Sequence, residues 1–323
     1  MAGHTPARYE ELKAAVTAAR LQFDAVKAAQ PDNAAEVLEG IEEKPVQIPS
    51  RDGGRTIEGR LYRSPKDAAA ASGPTPILVN WHGSGMVFHM FGQDRPFCAQ
   101  LAREVPGLAV LDADYRKAPE DPFPAAVHDV EDALRWVASQ PDVYDVSRVA
   151  VSGFSAGGLL ALVAASSFRQ TFAASDDVLR NVQIRVVVAV YPPVDLSVPA
   201  AERKQVEKPV RPIPPQMAAL FDECYTPDPE LRKDPRCSPG RTDPFLFPEN
   251  VVIITCGGDN CAPEANDLAG KLKDGKRKVV NEVMEGMPHA FDKTCQPGTP
   301  EWEQKDKMNA LIVKELKEAL RIQ

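Results

Sequence analysis

Six short apolar runs alternate mostly with longer segments of helical periodicity, and this pattern restricts the fold more than any other feature of the chain. Each run has the length of a strand, and the longer segments place apolar residues every three or four positions. Such alternation predicts an α/β fold whose mostly parallel sheet is covered by helices on both faces. The apolar runs are 77–81, 108–111, 149–151, 186–190, 251–255 and 279–284, and the helical segments are 97–103, 125–138, 156–168, 263–273 and 301–322.

Two regions depart from this alternation. The N-terminal region has a helical pattern from about residue 7 to 30 and a shorter one that Asn33 can cap, and a hairpin pattern around Asp52-Gly53-Gly54 follows. The stretch 191–248 holds 13 of the 30 prolines and a single helix-like segment at 216–223, so we interpret it as an inserted lid. A surface connection without a role at the site is the alternative. The predicted segments are an N-terminal helical cap at 1–45, a core of about eight strands at 46–191 and 249–323, and a proline-rich cap at 192–248.

Composition excludes several classes of function. The 323 residues include 38 Lys and Arg against 46 Asp and Glu, and the net charge of −8 argues against nucleic acids or anionic membranes as partners. No apolar stretch is long enough to span a bilayer, and residues 1–10 lack the apolar core of a secretory signal. The six cysteines have no disulfide-framework or zinc-site spacing, so we expect reduced thiols, a cytoplasmic location, no metal and no cofactor.

The strongest chemical signal is a Gly-x-Ser-x-Gly motif at 153–157, which follows the apolar run 149–151 and precedes a helical pattern. A strand-to-helix turn this tight needs glycine on either side of Ser155, and it presents the serine hydroxyl at the carboxyl edge of the sheet. The helix N-terminus next to it favours a developing negative charge. Ser155 is therefore the candidate nucleophile.

A second motif, His82-Gly83-Ser84-Gly85, comes directly after the run 77–81. Its backbone N–H groups are free of bulky side chains, so Gly83 and Ser84 are predicted to form an oxyanion hole together with Ala156. The motif alone is weak, because a simple glycine turn has the same composition. One β/α unit upstream of a nucleophile turn, it becomes a much stronger indication.

A serine nucleophile needs a base, and the base needs a carboxylate that orients it. Of the five histidines, His289 alone follows the last predicted strand, and it is our candidate base; the others are His4, His82, His89 and His128. Asp259 follows the run 251–255 and is the candidate acid, while Asp267 is a competitor that falls inside the next helical pattern. The order Ser155, Asp259, His289 is the order expected for an α/β-hydrolase.

With these motifs, residues 74–291 closely resemble the hormone-sensitive-lipase-like branch of α/β-hydrolases, which includes bacterial carboxylesterases and arylacetamide deacetylase. A further match is the run 114–126, Asp-Tyr-Arg-Lys-Ala-Pro-Glu-Asp-Pro-Phe-Pro-Ala-Ala, which in that family helps to shape the base of the site. The chain departs from the family pattern at Ser84 (usually Gly), Phe154 (often Asp), Leu159 (often Asn) and Asn260-Cys261 (often Pro-Leu). The backbone N–H of Ser84 survives the first change, and the triad positions are all present.

The predicted reaction is acyl transfer from a small to medium hydrophobic ester to Ser155, followed by hydrolysis. The apolar cluster after the oxyanion loop is predicted to line a substrate pocket, with ordinary core packing as the alternative; the predicted substrate-binding residues are Met86, Val87, Phe88 and Phe154. Three other functions stay open: a thioesterase, a lyase or cyclase that uses the same site, and a receptor-like protein with little turnover. A homodimer is compatible with the sequence, which does not determine the oligomeric state.

Overall fold

The computed structural model describes residues 5–28, 34–168 and 178–322. Within these residues the chain forms one eight-stranded sheet of order β1-β2-β4-β3-β5-β6-β7-β8. Strands β3 to β8 run parallel to one another, whereas β2 is antiparallel to both β1 and β4. The predicted fold class is confirmed. The strands are β1 Glu42–Pro49, β2 Thr56–Arg63, β3 Thr75–Trp81, β4 Ala109–Ala113, β5 Tyr144–Phe154, β6 Ile184–Val190, β7 Asn250–Cys256 and β8 Lys278–Met284.

Helices cover both faces of this sheet. Successive side chains of a buried strand point to opposite faces, so they pack into two different apolar clusters, one on each side. Ile77 and Val79 of β3 pack into one cluster, which also contains residues of α1, α5, α6 and α8, while Leu78 packs into the other, with residues of α4 and α9. The helices are α1 Pro6–Ala28, α2 Ala34–Val37, α3 Pro65–Ala70, α4 Arg95–Glu104, α5 Ala125–Ala138, α6 Ala156–Ala165, α7 Pro215–Tyr225, α8 Ala262–Leu272 and α9 Pro300–Leu320.

Element boundaries differ from the predicted ones in a few places. Helix α3 was not predicted; it is a short exposed helix that starts at Pro65 and is capped by Ser64, whose hydroxyl accepts from the Asp67 backbone. Strand β5 starts at Tyr144, five residues before the predicted apolar run, and α6 ends at Ala165 instead of residue 168. Residues 29–33, where the first helix was predicted to end and Asn33 to cap the second, lie outside the described residues.

The proline-rich segment 192–248 is built from α7 and three 3₁₀ turns at Pro229–Lys233, Pro239–Arg241 and Pro244–Leu246. It contacts loops at the carboxyl edge of the sheet. A Cβ added to Gly85, after β3, would lie 2.8 Å from the Phe221 ring of α7, and the backbone N–H of Val210 donates to the carbonyl of Gly258, after β7, at 2.9 Å. One segment therefore contacts two separate loops of the candidate site. In the described residues we find no helix long and apolar enough to cross a membrane.

Candidate active site

The turn between β5 and α6 holds Ser155 in a conformation that side chains rarely adopt, with φ 52° and ψ −118°. Its backbone N–H donates to the carbonyl of Val190 on the adjacent strand at 2.9 Å. Glycine is required on both sides: a Cβ on Gly157 would lie 1.9 Å from the Trp81 carbonyl oxygen, and one on Gly153 would lie 2.2 Å from the Gly157 carbonyl oxygen. The tight contact of three backbone segments thus explains the motif and exposes the serine hydroxyl at the sheet edge.

Ser155, His289 and Asp259 form a continuous hydrogen-bonded chain, although His289 and Ser155 are 134 positions apart in sequence. The Nε2 atom of His289 lies 2.8 Å from Ser155 Oγ, and its Nδ1 atom lies 2.7 Å from Asp259 Oδ2. Because a carboxylate only accepts, Nδ1–H donates to Asp259, which leaves Nε2 free to accept the serine proton. Burial lowers the pKa of His289, but the charge and hydrogen bond of Asp259 outweigh burial, so its pKa lies above the usual value.

The loop after β3 lies beside this chain. A Cβ on Gly83 would lie 3.3 Å from the Ser155 Cβ, so the two backbones approach closely. Within the described part of the chain, the backbone N–H groups of Gly83, Ser84 and Ala156 have no hydrogen-bond acceptor. Three unpaired donors next to a serine hydroxyl are suited to holding a negatively charged oxygen.

The hydroxyl of Ser84, at the position where the family pattern has glycine, is part of a hydrogen-bond chain that fixes this loop. Tyr115 Oη donates to the His82 carbonyl oxygen at 2.7 Å, so the Ser84 hydroxyl, also 2.7 Å away, donates to Tyr115. Ser84 Oγ in turn accepts from the backbone N–H of Met86 at 2.9 Å. Each hydrogen bond in this chain has a defined donor and a defined acceptor, and together the bonds hold the loop in one arrangement.

Comparisons with known proteins identify the family of the chain. A family model described as the alpha/beta hydrolase fold matches residues 78–293. The chain is 31% identical to an ethyl acetate hydrolase of Pseudomonas putida over 252 residues, which cover 76% of this chain and 74% of the relative. The chain belongs to the hormone-sensitive-lipase-like family of α/β-hydrolases.

Solved structures of α/β-hydrolases give the same result for the fold. An esterase of Pyrobaculum calidifontis superposes with a TM-score of 0.74 at 27% identity, covering 94% of this chain and 92% of that one. A bacterial heroin esterase superposes with a TM-score of 0.77 at 23% identity, covering 95% and 92% respectively, and at that identity it supports the fold alone.

The competing site residues of this α/β-hydrolase lie elsewhere. Asp267 is exposed on α8, where it pairs with Lys204 at 2.5 Å. His82 is fully buried; it stacks on the Tyr115 ring at 4.8 Å and contacts Asp114 at 3.0 Å, so it links the loop after β3 to the loop after β4. Burial lowers its pKa. His89 is exposed and His128 half-buried on α5, while His4 lies outside the described residues.

Sequence reasoning did not predict the roles of Asp114 and Tyr115, although it singled out the run 114–126. The structure explains why the run matters: Asp114 contacts His82, and Tyr115 is bonded to both His82 and Ser84. The signal was therefore visible in the sequence, but its meaning depends on the loop after β4 packing against the loop after β3.

A buried polar network beneath the hydrolase site was not predicted either. The Lys293 ammonium lies 2.8 Å from carboxylate oxygens of both Asp94 and Asp292, and its pKa is raised because these charges outweigh the burial that opposes them. Tyr191 donates to Asp292 at 2.7 Å, and its ring packs 4.8 Å from that of His289. Through Tyr191 this network contacts the histidine, and periodicity could not reveal it because its members come from three separate segments.

The four predicted substrate-binding residues are all buried and lie in two places. Phe88 packs between Phe23 of α1 at 4.5 Å and Phe221 of α7 at 5.7 Å, next to Met86 and Val87. The ring of Phe154 lies in the opposite cluster, edge-on to Phe97 at 4.8 Å. The first group thus contacts α1 and α7, while Phe154 packs behind the turn between β5 and α6. Their contact with substrate stays a prediction.

Proposed function

We propose that this protein is a serine hydrolase that cleaves small to medium hydrophobic carboxylic esters through an acyl-enzyme intermediate. The coarser conclusion, that it is a carboxylesterase-type hydrolase, follows from its family and its relatives. The observation that carries the finer proposal is the unbroken hydrogen-bond chain from Ser155 through His289 to Asp259.

Each step of the proposed reaction uses an atom of the hydrogen-bond chain described above. His289 Nε2 takes the proton of Ser155 as Oγ attacks the ester carbonyl, and the imidazolium then protonates the leaving alcohol. Water next attacks the acyl-enzyme, with Nε2 again as the base, and the carboxylic acid leaves. Asp259 holds the imidazole in the required tautomer and stabilises its cationic form.

In this proposal the backbone N–H groups of Gly83, Ser84 and Ala156 hold the oxyanion in both steps. Their lack of other acceptors within the described residues supports the role, because donors that are already oriented need no rearrangement when charge develops. Losing one such donor costs about 3 kcal/mol of transition-state stabilisation, or about a hundredfold in rate.

We infer that residues 192–248 and the helix α1 form the cap. Phe221 of α7 and Phe23 of α1 contact Phe88 from two sides, so both cap elements meet above the oxyanion loop. An apolar cluster at this place favours hydrophobic esters that fit beneath a cap over polymers or emulsified fat. A cytoplasmic location and a homodimer stay predictions.

The proposal is tested by comparing wild type with Ser155→Ala on p-nitrophenyl esters of short and long acyl chains and on a matching thioester. We expect turnover of oxygen esters by wild type, and its loss by at least 10⁴-fold in the variant, about what removing a triad nucleophile costs. Ser139→Ala, at an exposed serine after α5, is the control and should retain full activity. Faster thioester turnover would favour the thioesterase, and absence of turnover in wild type would favour the lyase or the receptor; each result overturns the ester assignment.

A further inference from the structure

Three different metal-binding atom types converge on the Asp259 side of His289. The thiol of Cys261, a carboxylate oxygen of Asp259 and a ring nitrogen of His289 all lie within 4.8 Å of one another. The ring nitrogen that faces Asp259 is Nδ1, at 2.7 Å. Sulfur, imidazole nitrogen and carboxylate oxygen are the donor types that Zn²⁺ prefers in proteins.

Cys261 has no part in the proposed reaction. It is a free, half-buried cysteine that immediately precedes α8. Among the hydrogen bonds of the described residues, its backbone N–H is the group that bonds the triad, donating to Asp259 Oδ1 at 3.1 Å. In the family pattern the two positions after the acid are often Pro-Leu, whereas here they are Asn260 and Cys261. The thiol is thus a feature of this chain that catalysis does not explain.

We propose that Cys261, Asp259 and His289 form an inhibitory binding site for a thiophilic divalent cation, represented by Zn²⁺. Tetrahedral zinc with bonds of about 2.0–2.3 Å places its donor atoms about 3.3–3.6 Å apart. Reaching that spacing requires Asp259 Oδ2 and His289 Nδ1, which are 2.7 Å apart, to separate by roughly 0.6–0.9 Å, and the thiol, which lies within 4.8 Å of the other two donors, to lie within about 3.6 Å of them. Mg²⁺ and Ca²⁺ prefer oxygen ligands and should not bind here.

Binding of the cation stops catalysis by reversing the imidazole tautomer; this consequence rests on the proposed function. When the cation takes the Nδ1 lone pair, the ring proton moves to Nε2, where it points at Ser155 Oγ. Nε2 then donates and can no longer accept the serine proton. The Cys261 thiol loses its proton to solvent as the sulfur–metal bond forms, so one proton is released per cation bound and no electron is transferred.

Binding is measured first without reference to activity, by calorimetric titration of Ser155→Ala protein with Zn²⁺ and by the thiolate-to-metal absorption of Co²⁺. We expect one cation per chain, the thiolate band, and at least tenfold weaker binding when Cys261→Ala is added. Cys295→Ala is the matched control, because this second half-buried free cysteine lies outside the cluster. Binding that is unchanged by Cys261→Ala, or that is lost equally with Cys295→Ala, overturns the proposal even if the protein hydrolyses no ester.

Inhibition is measured next, on ester turnover at buffered free Zn²⁺. Cys261→Ala keeps the backbone N–H that bonds Asp259, so it should retain turnover while needing at least tenfold more Zn²⁺ for half inhibition. Cys261→Ser checks that the sulfur, and not the side-chain volume, is responsible, and it should behave like the alanine variant. Equal Zn²⁺ sensitivity of wild type and Cys261→Ala contradicts the proposal, as does equal inhibition of wild type by Mg²⁺.

Discussion

The two halves of the candidate site are held together in different ways. The triad half consists of Ser155, His289 and Asp259, whose side chains bond directly to one another at 2.7 and 2.8 Å. The oxyanion half is the loop 82–88, whose shape depends on side chains from other segments, above all Tyr115 and Arg20. The triad side chains thus bond directly to one another, whereas the shape of the loop 82–88 is fixed mainly by side chains of neighbouring segments.

Among the substitutions that compare the two halves, the largest effect should come from the acid of the triad half. We predict that Asp259→Asn lowers kcat about 10⁴-fold, because the amide no longer enforces the tautomer that leaves Nε2 free. Asp267→Asn is the matched control: this carboxylate is exposed on α8 and pairs only with Lys204 among its described ion pairs, so its removal should leave kcat unchanged. Steady-state kinetics on one short ester measures both, and similar losses in the two variants would contradict the assignment of the acid.

The pH profile tests the electrostatics of the same half. Only neutral His289 accepts a proton, and Asp259 raises its pKa above the usual 6.5 by stabilising the imidazolium. We therefore predict that kcat/KM falls about tenfold per pH unit on the acid side, with an apparent pKa above 6.5. An acid limb centred well below 6.5 would show that the free enzyme does not hold the histidine as described.

The oxyanion half should respond more weakly. We predict that Tyr115→Phe and Ser84→Ala each lower kcat about tenfold with KM nearly unchanged, because each breaks the chain that fixes the loop and leaves a buried polar group unpaired. The double variant should lose little more than either single one, since both act through one chain. Tyr225→Phe is the control, because this buried hydroxyl has no hydrogen-bond partner among the described residues. A large rise in KM without a change in kcat would contradict a positioning role.

The contact between α1 and this loop should have the smallest effect. Arg20 donates to the Val87 carbonyl at 2.8 Å and to the Ala118 carbonyl at 3.0 Å, which ties the N-terminal helix to the apolar cluster. We predict that Arg20→Ala raises KM about threefold for a long-chain ester and less for a short one. Arg8→Ala removes an exposed pair with Glu223 at the other end of the helix and should change KM little. Equal changes for short and long esters would argue against a cap role for α1.

The difference between the halves also explains what could be predicted. Ser155, Asp259 and His289 each follow a strand whose apolar run is visible in the sequence, and the carboxyl ends of parallel strands share one edge of the sheet, so their meeting could be expected. The side chains that support the site could not be predicted. Tyr115, Arg20 and Lys293 act through contacts between segments that are distant in sequence, and the periodicity of a sequence does not encode such contacts. The eight-stranded sheet itself was predictable because the alternation covers most of the chain.

The central claim, that Ser155 is the nucleophile, is tested most directly by covalent labelling. We predict that a fluorophosphonate inactivates the enzyme at one equivalent and that mass spectrometry of the digested protein places the phosphonate on Ser155. Denatured protein should not be labelled, because the reactivity of the hydroxyl depends on His289. A phosphonate found on any other residue, or ester turnover that continues while Ser155 is fully labelled, would contradict the account.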